Sequence, residues 1–133
     1  MVNHFRSYAD WIINKYLSSP DPFVVEIGSN DGAMMENFSK NEIRHLGVEP
    51  SENVADEARK HGINTLCSFF NLKTAEKIAS EYGLADILIA ANVICHIPDL
   101  DGVARGANHL LKPTGVLAFE GYIVVEGRHY AVR

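Results

Sequence analysis

Five apolar runs, at residues 23–28, 44–49, 63–69, 85–94 and 115–125, alternate along the chain with stretches of helical periodicity at about 3–17, 32–40, 51–61, 72–82 and 100–111. Strand and helix in repeated alternation build a parallel sheet with helices on both faces. Right-handed crossovers then favour the strand order 3-2-1-4-5, which leaves a switch point between the first and fourth strands. Ligands bind such sheets outside the carboxyl ends of the strands. A length of 133 residues with 47% hydrophobic content suffices for one core, so a single α/β domain over 1–133 is expected.

The first helix carries Phe5, Tyr8, Ile12 and Tyr16 along one face with Trp11 beside them, a pattern expected to pack the helix onto the sheet. The sequence SSPDP at 18–22 ends it. A net charge of −5 with no basic run leaves no electrostatic footprint for nucleic acid or an anionic membrane. No stretch approaches the roughly 18 apolar residues of a membrane span, and the N-terminus lacks a secretory pattern. Cys67 and Cys95 are far apart and form no CxxC pair, which argues against a zinc site and fits a reducing cytoplasm. The expected partners are small molecules or proteins.

The end of the first run, VVEIGSNDG, narrows the ligand. Its pattern is Glu26-x-Gly28-x-Asn30-x-Gly32, without the third glycine that the dinucleotide fingerprint requires, so NAD is disfavoured. Glu49 ends the second run in HLGVEPS, about 20 residues beyond the first glycine, where a carboxylate accepts both hydroxyls of a ribose. A nucleoside is implied. Glu26, two positions before the turn, repels phosphate and suits the ammonium of an amino acid. A nucleoside joined to an amino acid describes S-adenosylmethionine. The alternative is a plain strand-to-helix connection in which the glycines serve packing alone.

The ExGxxxG string with an acidic residue ending the second strand resembles class I, Rossmann-like methyltransferases in general. The longer strings VVEIGSNDG, RHLGVEPSENVADEAR, AANVICHIPDL and LLKPTGVLAFE are similar to the C-methyltransferases acting on nucleotide-linked keto-deoxysugars. The resemblance implies that Glu26, Gly28, Asn30 and Gly32 line the methionine moiety, that Glu49 holds the ribose and that Pro50 shapes the turn. It implies adenine contact in the stretch Cys67-Ser68-Phe69-Phe70, where Ser68 replaces the family's acidic residue and Phe69 is suited to stacking. Phe69 is equally suited to the core, where Phe70 is expected. Asn92, near the end of the fourth strand, is placed beside the sulfonium or caps the strand. His96 of the CHIP string is implied as the catalytic residue facing the sugar, against the simpler reading of a histidine bonded to backbone.

The related sugar enzymes also carry a cysteine-rich zinc segment, a second domain and a Tyr-x-Glu-His cluster. None has a match here, since Glu126, His129 and Tyr130 follow a different pattern. The C-terminal strands of the usual fold are likewise expected to be missing, which would bare the apolar edge of the fifth strand near Val124 and Val125 and promote self-association. Two functions stay open: a methyltransferase acting on a small molecule such as a keto-deoxysugar, and a cofactor-binding module without turnover; a nucleotide-sugar- or NAD-binding domain is a weaker third.

Overall fold

The computed structural model describes residues 2–90, 100–119 and 130–132. Helix α1 (Val2–Tyr16) precedes β1 (Phe23–Ile27), α2 (Glu36–Lys40), β2 (Arg44–Val48), α3 (Glu52–Lys60) and β3 (Thr65–Leu66). Then come α4 (Leu72–Tyr82), β4 (Ala85–Ala90), α5 (Leu100–Leu110), β5 (Leu111–Phe119) and β6 (Tyr130–Val132). The strands form one parallel sheet in the order β3-β2-β1-β4-β5-β6, whose first five strands have the expected order. All five residues of β1 are buried, as a central parallel strand covered on both faces requires.

Alternation along the strands divides the core. Phe23, Val25, Ile27, Leu46, Val48 and Leu88 face α4 and α5, meeting Ala75, Ile78, Val103 and Leu110. Val24, Ile87, Ile89 and Val116 face the other way, against Tyr8 and Ile12 of α1 and Phe38 of α2. Tyr8 is buried and Phe5 and Trp11 pack partly buried against the same cluster, so the first helix docks as its periodicity indicates. Among the described residues no helix is long and apolar enough to cross a membrane.

Three elements differ from expectation. Helix α2 begins at Glu36 rather than near residue 32, because Asn30 (φ 56°) and Gly32 (φ 85°) are left-handed and the chain spends 28–35 in turns. Strand β3 has two residues rather than seven, since Ile63 turns its side chain against Gly32 and the chain beyond Leu66 enters the loop carrying Phe69. The edge of β5 is not bare as expected: Leu117, Ala118 and Phe119 pair with Tyr130, Ala131 and Val132 of β6. The edge argument for self-association therefore loses its premise along 117–119. Val124 and Val125 lie outside the described residues.

At the amino ends of the strands Asp86 ties three segments together. Its carboxylate accepts hydrogen bonds from Phe23 N (2.8 Å), Ser19 Oγ (3.0 Å) and Lys112 Nζ (3.0 Å), joining β1, the α1–β1 connection and β5 to β4. Asp86→Asn retains the shape but loses the charge and one acceptor, and is expected to cost about 1–2 kcal/mol. Urea unfolding checks this, and an unchanged midpoint would exclude the clamp.

Candidate cofactor site

The sheet's central strand delivers its carboxyl end into a tight turn. Gly28 N (2.8 Å) and Ser29 N (3.2 Å) both donate to Val48 O of the neighbouring strand, and Gly32 N donates to Ser29 O (3.1 Å). Gly28 (φ 67°), Asn30 and Gly32 are all left-handed, which glycine adopts freely and asparagine tolerates better than most residues. At Gly32 space is also limiting, because a Cβ would stand 2.8 Å from Ile63 Cγ1. The 28–32 turn thus brings the chain sharply round at the carboxyl end of β1, with Asn30 and Asp31 exposed and Ser29 and Gly32 buried.

Glu49 closes one side of this cradle. Its carboxylate is buried and accepts from Asn30 N (3.0 Å, Oε1) and Ser51 N (2.8 Å, Oε2). A carboxylate has about four lone-pair sites, so two acceptor positions remain after these bonds. Its main chain is equally held: Glu49 N donates to Leu66 O (3.0 Å) and Ser68 N to Glu49 O (3.2 Å). The side chain is fixed in place with capacity to spare, which is what two adjacent hydroxyls need.

Glu26 forms the floor. It is 4% exposed, and its Oε1 has no hydrogen-bond partner among the described residues. Burial, followed by the negative charges of Asp31 and Glu49, pushes its pKa up to about 8. A buried carboxyl group of this kind carries a proton at neutral pH until a cation stands before it. The donor set therefore fits the ammonium and ribose ends of S-adenosylmethionine, and its acidity is wrong for a pyrophosphate.

The third wall is the loop after β3. Phe69 is 73% exposed, which removes it from the core, whereas Phe70 is buried against α5 as expected. The loop is pinned from α4: Thr74 Oγ1 donates to Phe69 O (2.7 Å), and the N-cap Asn71 accepts from Thr74 N (2.9 Å). Ser68 Oγ lies 3.1 Å from Phe69 O and 3.2 Å from Thr74 Oγ1, so its hydroxyl is engaged in holding this loop. Pro50 is exposed, and its carbonyl accepts from Cys67 Sγ (3.6 Å).

Glu26, Gly28, Asn30, Gly32, Glu49, Pro50, Ser68 and Phe69 thus converge on the carboxyl ends of β1, β2 and β3. Asn92 and His96 lie outside the described residues. Sequence reasoning missed Ser51, Thr74 and Asp31, of which Ser51 contributes only a backbone N–H. The Asn71-x-x-Thr74 capping pattern was the available signal for Thr74.

The sequence matches the methyltransferase-domain family over residues 25–117, and the chain belongs to that family, whose methyl donor is S-adenosylmethionine. It is 33% identical over 126 residues to C-methyltransferase NovU of Streptomyces niveus, an alignment covering 95% of this chain and 30% of NovU. The chain therefore spans under a third of that relative. Among solved structures, Streptomyces venezuelae DesVI superposes with a TM-score of 0.68 at 17% identity, covering 91% of this chain and 50% of DesVI. Magnesium protoporphyrin IX methyltransferase of Synechocystis, solved with bound S-adenosylmethionine, gives 0.58 at 17% identity over 82% of this chain and 52% of its own. These two likenesses establish the fold.

Proposed function

We propose that this chain binds S-adenosylmethionine across the carboxyl ends of β1–β3 and supports methyl transfer to a small molecule, with a nucleotide-linked keto-deoxysugar as the acceptor class. One observation carries the cofactor reading: a buried Glu26, with an oxygen unpartnered among the described residues, stands in the same cradle as a Glu49 fixed by Asn30 N and Ser51 N. In this reading Glu26 takes the ammonium, Glu49 the ribose hydroxyls and Phe69 the adenine face, while the 28–32 backbone borders the methionine portion. The bound cofactor supplies an electrophilic methyl on a sulfonium. The chain's part is to orient that methyl and exclude water around it.

The acceptor class is supported by the identity to a C-methyltransferase and by the strings EIGSNDG and NVICHIP. Carbon methylation beside a ketone needs a base for a carbon-bound proton, and His96 is the residue proposed for it. General-base help of this kind is typically worth about 10² to 10⁴ in rate. The second reading, a cofactor-binding module without turnover, needs only the Glu26, 28–32 and Glu49 cradle. Labelled S-adenosylmethionine and a nucleotide-linked 4-keto-6-deoxysugar, supplied to the purified chain and to His96→Ala, separate the two. Transfer is expected to be far slower than roughly 1 per second, and slower again in His96→Ala. Transfer indifferent to His96→Ala would remove that residue's role, and no transfer at all would favour the binding module.

A further inference from the structure

The cradle depends on a contact that none of its ligand-facing residues makes. Gly47 of β2 pairs with Glu26 on one side and Thr65 on the other, is buried, and has Ser29 where its own Cβ would point. A Cβ added to Gly47 would overlap Ser29 Oγ and stand 2.7 Å from Ser29 Cβ. Its next neighbour would be Thr65 Oγ1 at 3.7 Å, an ordinary contact. Among the described residues, crowding at this position therefore comes from Ser29 alone. Ser29 is itself 3% exposed, and its hydroxyl has no hydrogen-bond partner among the described residues.

We infer that Gly47 is a positioning residue for cofactor binding: its missing side chain is the seat in which Ser29 rests, and that seat sets the height of the 28–32 turn over the sheet. Ser29 is the residue through which the turn is fixed. Its N–H and that of Gly28 bond Val48 O, its carbonyl accepts from Gly32 N, and the next amide, Asn30 N, bonds Glu49 Oε1. A methyl on Gly47 can be relieved only by lifting Ser29, because the other side is strand backbone in register with β1 and β3. Lifting Ser29 stretches the bonds to Val48 O and draws Asn30 N away from Glu49. The ribose acceptor and the methionine cradle would then lose their common frame.

The proposal rests on the cofactor reading, and its test separates the two. Amide hydrogen exchange at Gly28, Ser29 and Asn30 in the free protein reports the turn without ligand, while titration with S-adenosylhomocysteine reports the site. Gly47→Ala is expected to speed exchange at these three amides about tenfold or more, the effect of making local opening easier, and to weaken the ligand about tenfold. Ser29→Gly combined with Gly47→Ala removes both crowded atoms and is expected to return exchange and affinity to within about threefold of the parent, since neighbours with a shared contact couple. Unchanged exchange in Gly47→Ala, or a double variant as perturbed as the single, overturns the proposal. If Gly47→Ala does not fold, the double variant decides: parental exchange supports the seat, and failure to fold overturns it. Exchange that behaves as expected in a parent chain that binds no S-adenosylhomocysteine would uphold the seat and reject the cofactor reading.

Discussion

Glu49→Ala is expected to weaken S-adenosylhomocysteine binding by about 3 kcal/mol, on the order of a hundredfold. Hydrogen bonds to a charged acceptor contribute roughly 1.5–3 kcal/mol each, and two ribose hydroxyls would lose theirs. The loss goes further, because Asn30 N and Ser51 N donate to this same carboxylate and would be left without it. Glu49→Gln separates the contributions: the amide oxygen can keep one backbone donor but cannot accept from both amides and both hydroxyls. It is expected to fall between the parent and Glu49→Ala. Isothermal titration of the three proteins measures the series, and an alanine variant binding as tightly as the parent would exclude the ribose assignment.

The second large effect is a pH dependence centred on Glu26. Its ordinary pKa of 4.5 in the unfolded chain rises to about 8 in the fold, so between these values the folded state holds a proton that the unfolded state has released. Stability linked to this group is fully present below about pH 4.5 and falls as pH climbs to about 8, at up to about 1.4 kcal/mol per unit. Glu26→Gln cannot ionise and is expected to lose this part of the slope, becoming the more stable protein toward pH 8. Ligand binding runs the other way. An ammonium facing Glu26 favours the carboxylate, so binding releases a proton near neutral pH and affinity rises with pH up to about 8. Titration in buffers of different ionisation enthalpy counts that proton. Equal pH slopes for the parent and Glu26→Gln, in stability and in affinity, would contradict the assignment.

How much of this was legible in the sequence follows from what kind of information each feature needs. Strand order was readable because runs such as FVVEI are apolar throughout, and a parallel sheet with right-handed crossovers admits few arrangements. Glu26 and Glu49 were readable because strand length fixes where the carboxyl ends fall. The late start of α2 was not, since a left-handed Asn30 depends on its bond to Glu49, a contact 19 residues away. The brevity of β3 likewise depends on Ile63 filling the space beside Gly32. Phe69 and Phe70 look alike as residue types, and only the placement of α5 against the sheet separates an exposed ring from a buried one. Strand β6 escaped notice because three residues, Tyr130–Val132, carry no periodicity that a sequence pattern can register.

The Glu26, 28–32 and Glu49 cradle is expected to take an aminoacyl nucleoside rather than a dinucleotide. Calorimetric titration of the purified chain with S-adenosylhomocysteine and, separately, with NAD tests it most directly. The account predicts saturable one-to-one binding of S-adenosylhomocysteine and no measurable heat from NAD. Binding of NAD, or a flat titration with S-adenosylhomocysteine, would contradict it.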